Sequence, residues 1–520
     1  MKTLLLVACS MVVAGVVLAP SPASAQAQTS LASLRVGYNT RKATVKPQGE
    51  LKAQIDAVDR ELAEATRIGR TGDVRRLIAK GTALLAGRSW TPDLEFATSV
   101  VIRTEAVVAD SARPWPVRLE QIYAPAVALE HPLTAHVLLR QRPTVGAGGV
   151  AQPGEVVKDL GTFEGVARDL RDAPFGVDLD VRGVVDGTYQ LTAQLAEADR
   201  TLGTPTLLIS LRKGLTELTA QIESAAASAP ADVRADILYP VDRMHHVNRG
   251  SLELRTFDPA RDFSEAIAIA AAVKSGKAPF KGRTGDFKRH YSLDAAHKVL
   301  PYRMYVPSKY DGSRAYPLII ALHGLGGTED SFFENYEKAL PPLAEQHGYI
   351  VAAPLGYRVD GSYGWGLGNA PSDPVTRQVQ ERSEADVMEV LRLVRQQYKI
   401  DERRIYLMGH SMGAIGTWKI APKYPDLWAA IGMFSGQGAP ATLARIAAVP
   451  EFVVHGDNDP TVNVQGSRTM VAKARELGIE VTYIEVPGGT HSSVVAPNLA
   501  GALDFFDAHT KRAASTSRQQ

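Results

Sequence analysis

The chain has 520 residues, 45 % of them hydrophobic and 22 % charged, an ordinary globular composition with room for roughly two to four domains and a large core. Its formal net charge of +2 and the lack of long basic runs exclude nucleic acid or an anionic membrane as the main electrostatic partner. Cys9 is the single cysteine and precedes the expected cleavage point after Ala25, so disulfides, thiolate metal sites and cysteine catalysis are excluded for the mature chain.

The first 25 residues read as an export signal. Lys2 is the positive start, Leu4 to Ala19 is an uncharged apolar run, and Ala23-Ser24-Ala25 supplies small residues for cleavage. The run is shorter than the roughly 18 residues a membrane span needs, so no stable insertion is expected and the product is secreted or periplasmic.

Residues 26–115 are expected to form a helical module. Leu51, Ile55, Val58 and Leu62 recur at helical spacing, and Val74, Leu77, Ile78, Leu84 and Leu85 continue the pattern. From residue 116 to 212 the texture changes to short alternating runs, such as Thr134 to Arg140 and Gly187 to Leu195, separated by turn residues. That pattern predicts a small β-sandwich, and Asp186 to Leu191 resembles a strand of immunoglobulin-like modules. Helical spacing returns over 213–287, and the two helical stretches are expected to be one module with the sandwich inserted between them.

Residues 288–510 alternate apolar strand-like runs with helical segments, as in a parallel sheet covered by helices on both faces. Strands are expected at Arg303 to Val306, Leu318 to Leu322, Ile350 to Pro354, Ile405 to Met408, Ala430 to Phe434, Phe452 to Val454 and Val481 to Val486. Helices are expected at Ser331 to Gln346, Arg382 to Tyr398, Met412 to Tyr424, Val464 to Leu477 and Pro497 to His509. The polar tail, 511–520, is expected to be disordered.

Gly409-His410-Ser411-Met412-Gly413 stands where one of these strands gives way to a helix, the setting of a nucleophile elbow. A serine hydroxyl needs a base to take its proton, and a sharp turn raises Oγ to meet that base. In this chain order the acid and the histidine follow the serine. His491, after the last strand, is the candidate base. Asp457 and Asp459 both follow the strand before it, and Asp459 is preferred, because an Asp-Asn pair such as Asp457-Asn458 commonly bonds its own turn. The oxyanion donors are expected to be the amides of Met412 and of Leu325, the latter in the glycine-rich stretch His323 to Gly327. His323, His410, Tyr357 and Trp365 are candidate substrate contacts, the last two from the glycine-rich loop Gly356 to Gly368. His245-His246 lacks spaced partners for a metal, and neither a dinucleotide fingerprint nor a phosphate loop is present, so no cofactor is expected.

Taken together, Leu300 to Pro307, Leu322-His323-Gly324, the elbow with Gly416-Thr417-Trp418, and His455 to Asp459 resemble the secreted α/β-hydrolases. The nearest group holds polyhydroxybutyrate-depolymerase-like esterases, feruloyl and acetylxylan esterases, and related peptidases of the prolyl-oligopeptidase superfamily. The resemblance spans residues 290–510. It implies a serine hydrolase working through an acyl-enzyme on small or polymeric carboxylic esters, polyesters among them, with a serine peptidase as the alternative. A non-catalytic binding protein on the same fold would lack a member of the serine, histidine and aspartate set, and none is missing.

Overall fold

The computed structural model describes residues 31–127, 129–145, 151–250, 252, 254 and 257–511. The export signal, Cys9 and residues 512–520 lie outside the described residues.

An eight-stranded sheet dominates the C-terminal half. Its strands are β1 (Gly285–Leu293), β2 (Lys298–Val306), β3 (Tyr316–Leu322), β4 (Ile350–Pro354), β5 (Ile400–His410), β6 (Ala430–Phe434), β7 (Glu451–Gly456) and β8 (Val481–Val486). Their spatial order is β1-β2-β4-β3-β5-β6-β7-β8. The first two contacts, β1 with β2 and β2 with β4, are antiparallel; every later one is parallel. Every residue of β3, β4, β6 and β7 is buried, as strands covered on both faces must be. Two apolar clusters, one on each face, fill the space between sheet and helices. β1 is a strand that the sequence pattern did not reveal, and it starts the sheet three residues ahead of the expected boundary.

The helix expected over Ser331 to Gln346 is broken. It ends at Glu334 and restarts at Leu340, and between them Tyr336, Glu337 and Lys338 all have left-handed φ of 51–58°. Pro341 and Pro342 carry no N–H and fit only a helix's first turn, which forces the restart. The interruption swings Tyr336 toward the end of β5.

The helical stretches do not share a core, contrary to expectation. Helices Leu31–Val45, Gly49–Arg67 and Thr71–Leu85 pack on one another through Tyr38, Ile55, Val58, Leu62, Val74, Leu77 and Ile78. Helices Leu215–Ser228, Ala231–Asn248 and Pro259–Lys274 contribute Ile222, Val233, Ile237 and Phe263 to the cluster that also holds β1 and β2 residues. Buried Asp236 ties them there: it accepts from the Arg289 guanidinium and, at 2.7 Å, from the His290 amide.

Two larger sheets stand between these stretches, with a two-stranded ribbon of Thr144–Val145 and Ala151–Gln152 beside them. Val100–Thr104, Trp115–Gln121 and Phe175–Leu179 form one; Val108–Asp110, Thr206–Arg212, Gly187–Glu197, Leu133–Arg140 and Val156–Val166 run across the other in that order. Their inner faces share a core of Ile102, Val117, Leu119, Val137, Leu191 and Leu195. The module therefore begins near Val100, ahead of the expected residue 116. Its first strands are short, and their alternation is too brief to separate from the preceding helix by pattern.

At its far end the described chain returns to the base of the sheet, where the Lys511 amide donates to Arg403 O near the start of β5. Among the described residues no helix is long and apolar enough to cross a membrane.

Candidate active site

The turn between β5 and the helix Met412–Ile420 is held tightly. Ser411 sits at φ 57°, ψ −117°, a strained backbone for a residue with a side chain. Close packing leaves no alternative. A Cβ on Gly413 would lie 2.0 Å from Leu322 O, and one on Gly409 would lie 2.3 Å from the Gly413 backbone. The Ser411 amide donates to Phe434 O at 2.9 Å, which pins the turn to β6.

Three side chains meet at this point. His491 Nε2 lies 2.8 Å from Ser411 Oγ, and His491 Nδ1 lies 2.7 Å from Asp459 Oδ2. A carboxylate only accepts, so Nδ1 carries the proton and Nε2 is left to accept from the serine hydroxyl. Burial would raise the Asp459 carboxyl, but hydrogen bonds from His455, His491 and the Val462 amide outweigh it and hold the group well below the usual range. Asp457 is elsewhere: its Oδ1 accepts from the Gly488 amide at 2.6 Å, a turn contact.

His491 is also gripped through its backbone. His410 Nε2 donates to His491 O at 2.9 Å, and Ser435 Oγ donates to the same carbonyl at 2.8 Å. The other ring nitrogen of His410 accepts from Tyr336 Oη at 2.8 Å. Both nitrogens are thus satisfied by one neutral tautomer. Burial, with the nearby His491, pushes His410 down to about 4, in agreement.

The loop after β3 lies against the turn. A Cβ on Gly324 would come within 3.3 Å of Ser411 Cβ. The Gly326 and Gly327 amides are committed to Val359 O and Gly324 O, so neither is the second oxyanion donor. Leu325 and Met412 both line the cleft beside Ser411. That cleft has a volume of about 1330 Å³ and is walled by Tyr336, Ile415, Lys419, Val462 and Ala496 as well as by Ser411 and His491.

Comparison with known proteins locates this arrangement. Residues 297–495 match the family model described as "Putative esterase". The chain is 30 % identical over 149 residues to feruloyl esterase B of Neurospora crassa, spanning 28 % of this chain and 47 % of that protein. It is 28 % identical over 150 residues to the bifunctional acetylxylan esterase/xylanase XynS20E of Neocallimastix patriciarum, spanning 29 % and 20 %. It therefore covers less than half the length of either relative. Among solved structures, a thermostable esterase aligns over 79 % of this chain and 100 % of its own, at 18 % identity and a TM-score of 0.39.

Three of the expected substrate contacts do not reach this cleft. His323 is buried, its ring boxed between Gly324 O and Leu355 O at 2.7 Å each. Tyr357 is buried under Lys298 and Arg382, whose cations face its ring. Trp365 lies beneath Lys423. The loop that carries the two aromatics turns them toward cations rather than toward Ser411. His410 alone of the four lines the cleft.

Other residues of the site were missed. Tyr336 could have been flagged by the paired prolines inside its predicted helix. Buried His455 shares Asp459 Oδ2 with His491, at 3.1 Å, and no spacing rule singles it out. Ala43, Thr44 and Lys46, at the end of the first described helix, form part of the wall, and nothing local announces a contact that long in sequence. His347, Asp504 and Asp507 approach one another closely enough to hold a cation. They stand apart from the cleft, and His347 Nδ1 already bonds Asp507 at 2.7 Å.

Proposed function

We propose that the chain is an exported serine esterase that hydrolyses carboxylic esters through an acyl-enzyme. The continuous hydrogen-bonded line from Asp459 through His491 to Ser411 carries this reading. In it, His491 Nε2 takes the Ser411 proton as Oγ attacks the ester carbonyl, and the imidazolium so formed is stabilised by Asp459. The Met412 and Leu325 amides receive the developing oxyanion, a contribution of about 2.7–4 kcal/mol for each donor. The imidazolium returns its proton to the departing alkoxide. Water then repeats the sequence on the acyl-enzyme and frees the acid. The esterase-family match and the named esterases among the relatives support a carboxylic ester as the substrate, with acetyl and feruloyl esters of cell-wall polysaccharide and polyesters as the classes to try. The apolar run before Ala25 supports export.

The test is turnover of p-nitrophenyl butyrate, methyl ferulate and a prolyl p-nitroanilide by the mature protein. Ester cleavage without anilide cleavage is expected, and the ferulate rate grades the acyl preference. Anilide cleavage would instead make the chain a peptidase.

A further inference from the structure

A second cleft of about 450 Å³ adjoins the first. Gly326, Gly327, Ser331 and Asn335 line both, so the loop after β3 and the short helix that follows it form a wall common to the two clefts. The far side of the second cleft comes from other parts of the chain. Arg142, Thr188 and Leu208 project from the β-sandwich, and Phe257, Asp258 and Arg261 come from the start of helix Pro259–Lys274. The sandwich thus supplies one side of a cleft that lies next to the one holding Ser411.

We propose that this second cleft is a subsite for a neutral oligosaccharide chain, the alcohol part of a polymeric ester whose acyl group lies at Ser411. The proposal rests on the serine-esterase reading of the first cleft. Its chemistry comes from the lining. The cations Arg142, Arg261 and Lys288 are matched by the anions Asp258, Asp330 and Glu334, three against three, so the cleft favours neither charge. Lys288 is moreover neutralised in place, 2.7 Å from Asp330 and 2.8 Å from Glu329. A surface dense in planar donors and acceptors but without net charge suits vicinal hydroxyls, each of which both donates and accepts. Leu208, Leu254 and Phe257 add an apolar strip on which the carbon face of a sugar ring can lie. The volume falls within the range of small-ligand sites, and the wall shared at Gly326 and Gly327 sets the second cleft directly beside the first, within reach of one polymer chain.

Arg142→Ala removes the sandwich's charged donor, and Thr188→Trp fills the cleft from the same side. Two measurements decide. In calorimetry with unesterified xylohexaose and cellohexaose, the Ser411→Ala protein should bind at least one of the two sugars. Adding either variant should weaken that binding by about tenfold, the scale of one lost hydrogen bond to a charged group. In kinetics, both variants should leave p-nitrophenyl acetate hydrolysis within about twofold and raise KM for acetylated xylo-oligosaccharides by about tenfold. Absence of binding to both sugars overturns the subsite, as does binding unmoved by either variant or an equal loss on small and polymeric esters. Retained turnover in Ser411→Ala would sink the serine reading alone, since the sugar titration does not depend on it.

Discussion

At the scale of single residues, the distances around Ser411 give sharp expectations. Ser411→Ala should lower p-nitrophenyl butyrate turnover by on the order of 10⁶-fold with an unchanged circular dichroism spectrum. Asp459→Asn, which would present the wrong hydrogen-bonding partner to His491 Nδ1, should cost on the order of 10⁴-fold. Asp457→Asn keeps an oxygen for the Gly488 amide and should cost less than about tenfold; the opposite ranking would move the acid to Asp457. Tyr336→Phe leaves the buried His410 Nδ1 without its donor and loosens the clamp on His491 O, so kcat should fall by roughly tenfold while KM for short esters stays put. A KM effect without a kcat effect would make Tyr336 a substrate contact instead. Ser411, His491 and Asp459 were legible in the sequence because the elbow and the chain order each have a mechanical cause. Tyr336 and His455 were not, since each acts through contacts made across tens of residues or within a loop of irregular course.

Among the elements, the glycines matter as spacers between backbones. A Cβ on Gly456 would sit 2.1 Å from Gly489 O, and these two glycines join the loop that carries Asp459 to the loop that carries His491. Gly456→Ala should therefore part the acid from the base. The expected result is a loss of kcat of at least about a hundredfold, the scale of a 1 Å misplacement, with the sheet still folded by circular dichroism. Wild-type activity in this variant would show that the loops can separate without consequence. The strands of the central sheet were readable as apolar runs, and β6 and β8 begin and end where the pattern puts them. β1 was not readable, because the consecutive polar residues Lys288, Arg289 and His290 in its middle look like an exposed segment. Those polar side chains are buried against Asp236 and Glu329, a pairing that only the tertiary fold creates.

For the molecule as a whole, buried ionisable groups set the dependence of stability on pH. Burial pushes the carboxyls of Asp386 and Glu451 up to about 7. The folded protein keeps these protons between their ordinary carboxyl range and about pH 7, where the unfolded chain has lost them. Their stabilisation is complete in acid and is lost as pH rises through about 7, with a limiting slope of about 1.4 kcal/mol per pH unit for each group. His410, held down at about 4, acts in the other sense: its contribution is present above the ordinary histidine range and is lost as pH falls through about 4. Glu451 Oε1 has no hydrogen-bond partner among the described residues, and its other oxygen accepts from Trp418 Nε1 at 3.3 Å. Glu451→Gln should thus leave the melting temperature at pH 5 nearly unchanged, raise it at pH 8 and flatten the fall in stability between the ordinary carboxyl range and about pH 7. A melting curve parallel to wild type across that range would remove Glu451 from the account. The division of the helical stretches between two cores could not be read from periodicity, which reports that a helix has an apolar face and says nothing of what covers it.

The return of the chain to Arg403 has a practical corollary. β5 rises from that point to the serine, so the Lys511 end leaves from the opposite pole of the sheet, roughly 25 Å away at about 3.3 Å per residue. The helix ending at Val45, by contrast, borders the mouth of the cleft. Anchoring the protein to a bead or scaffold by its C-terminal side would leave the opening facing outward, while a bulky group attached beside Val45 would crowd it.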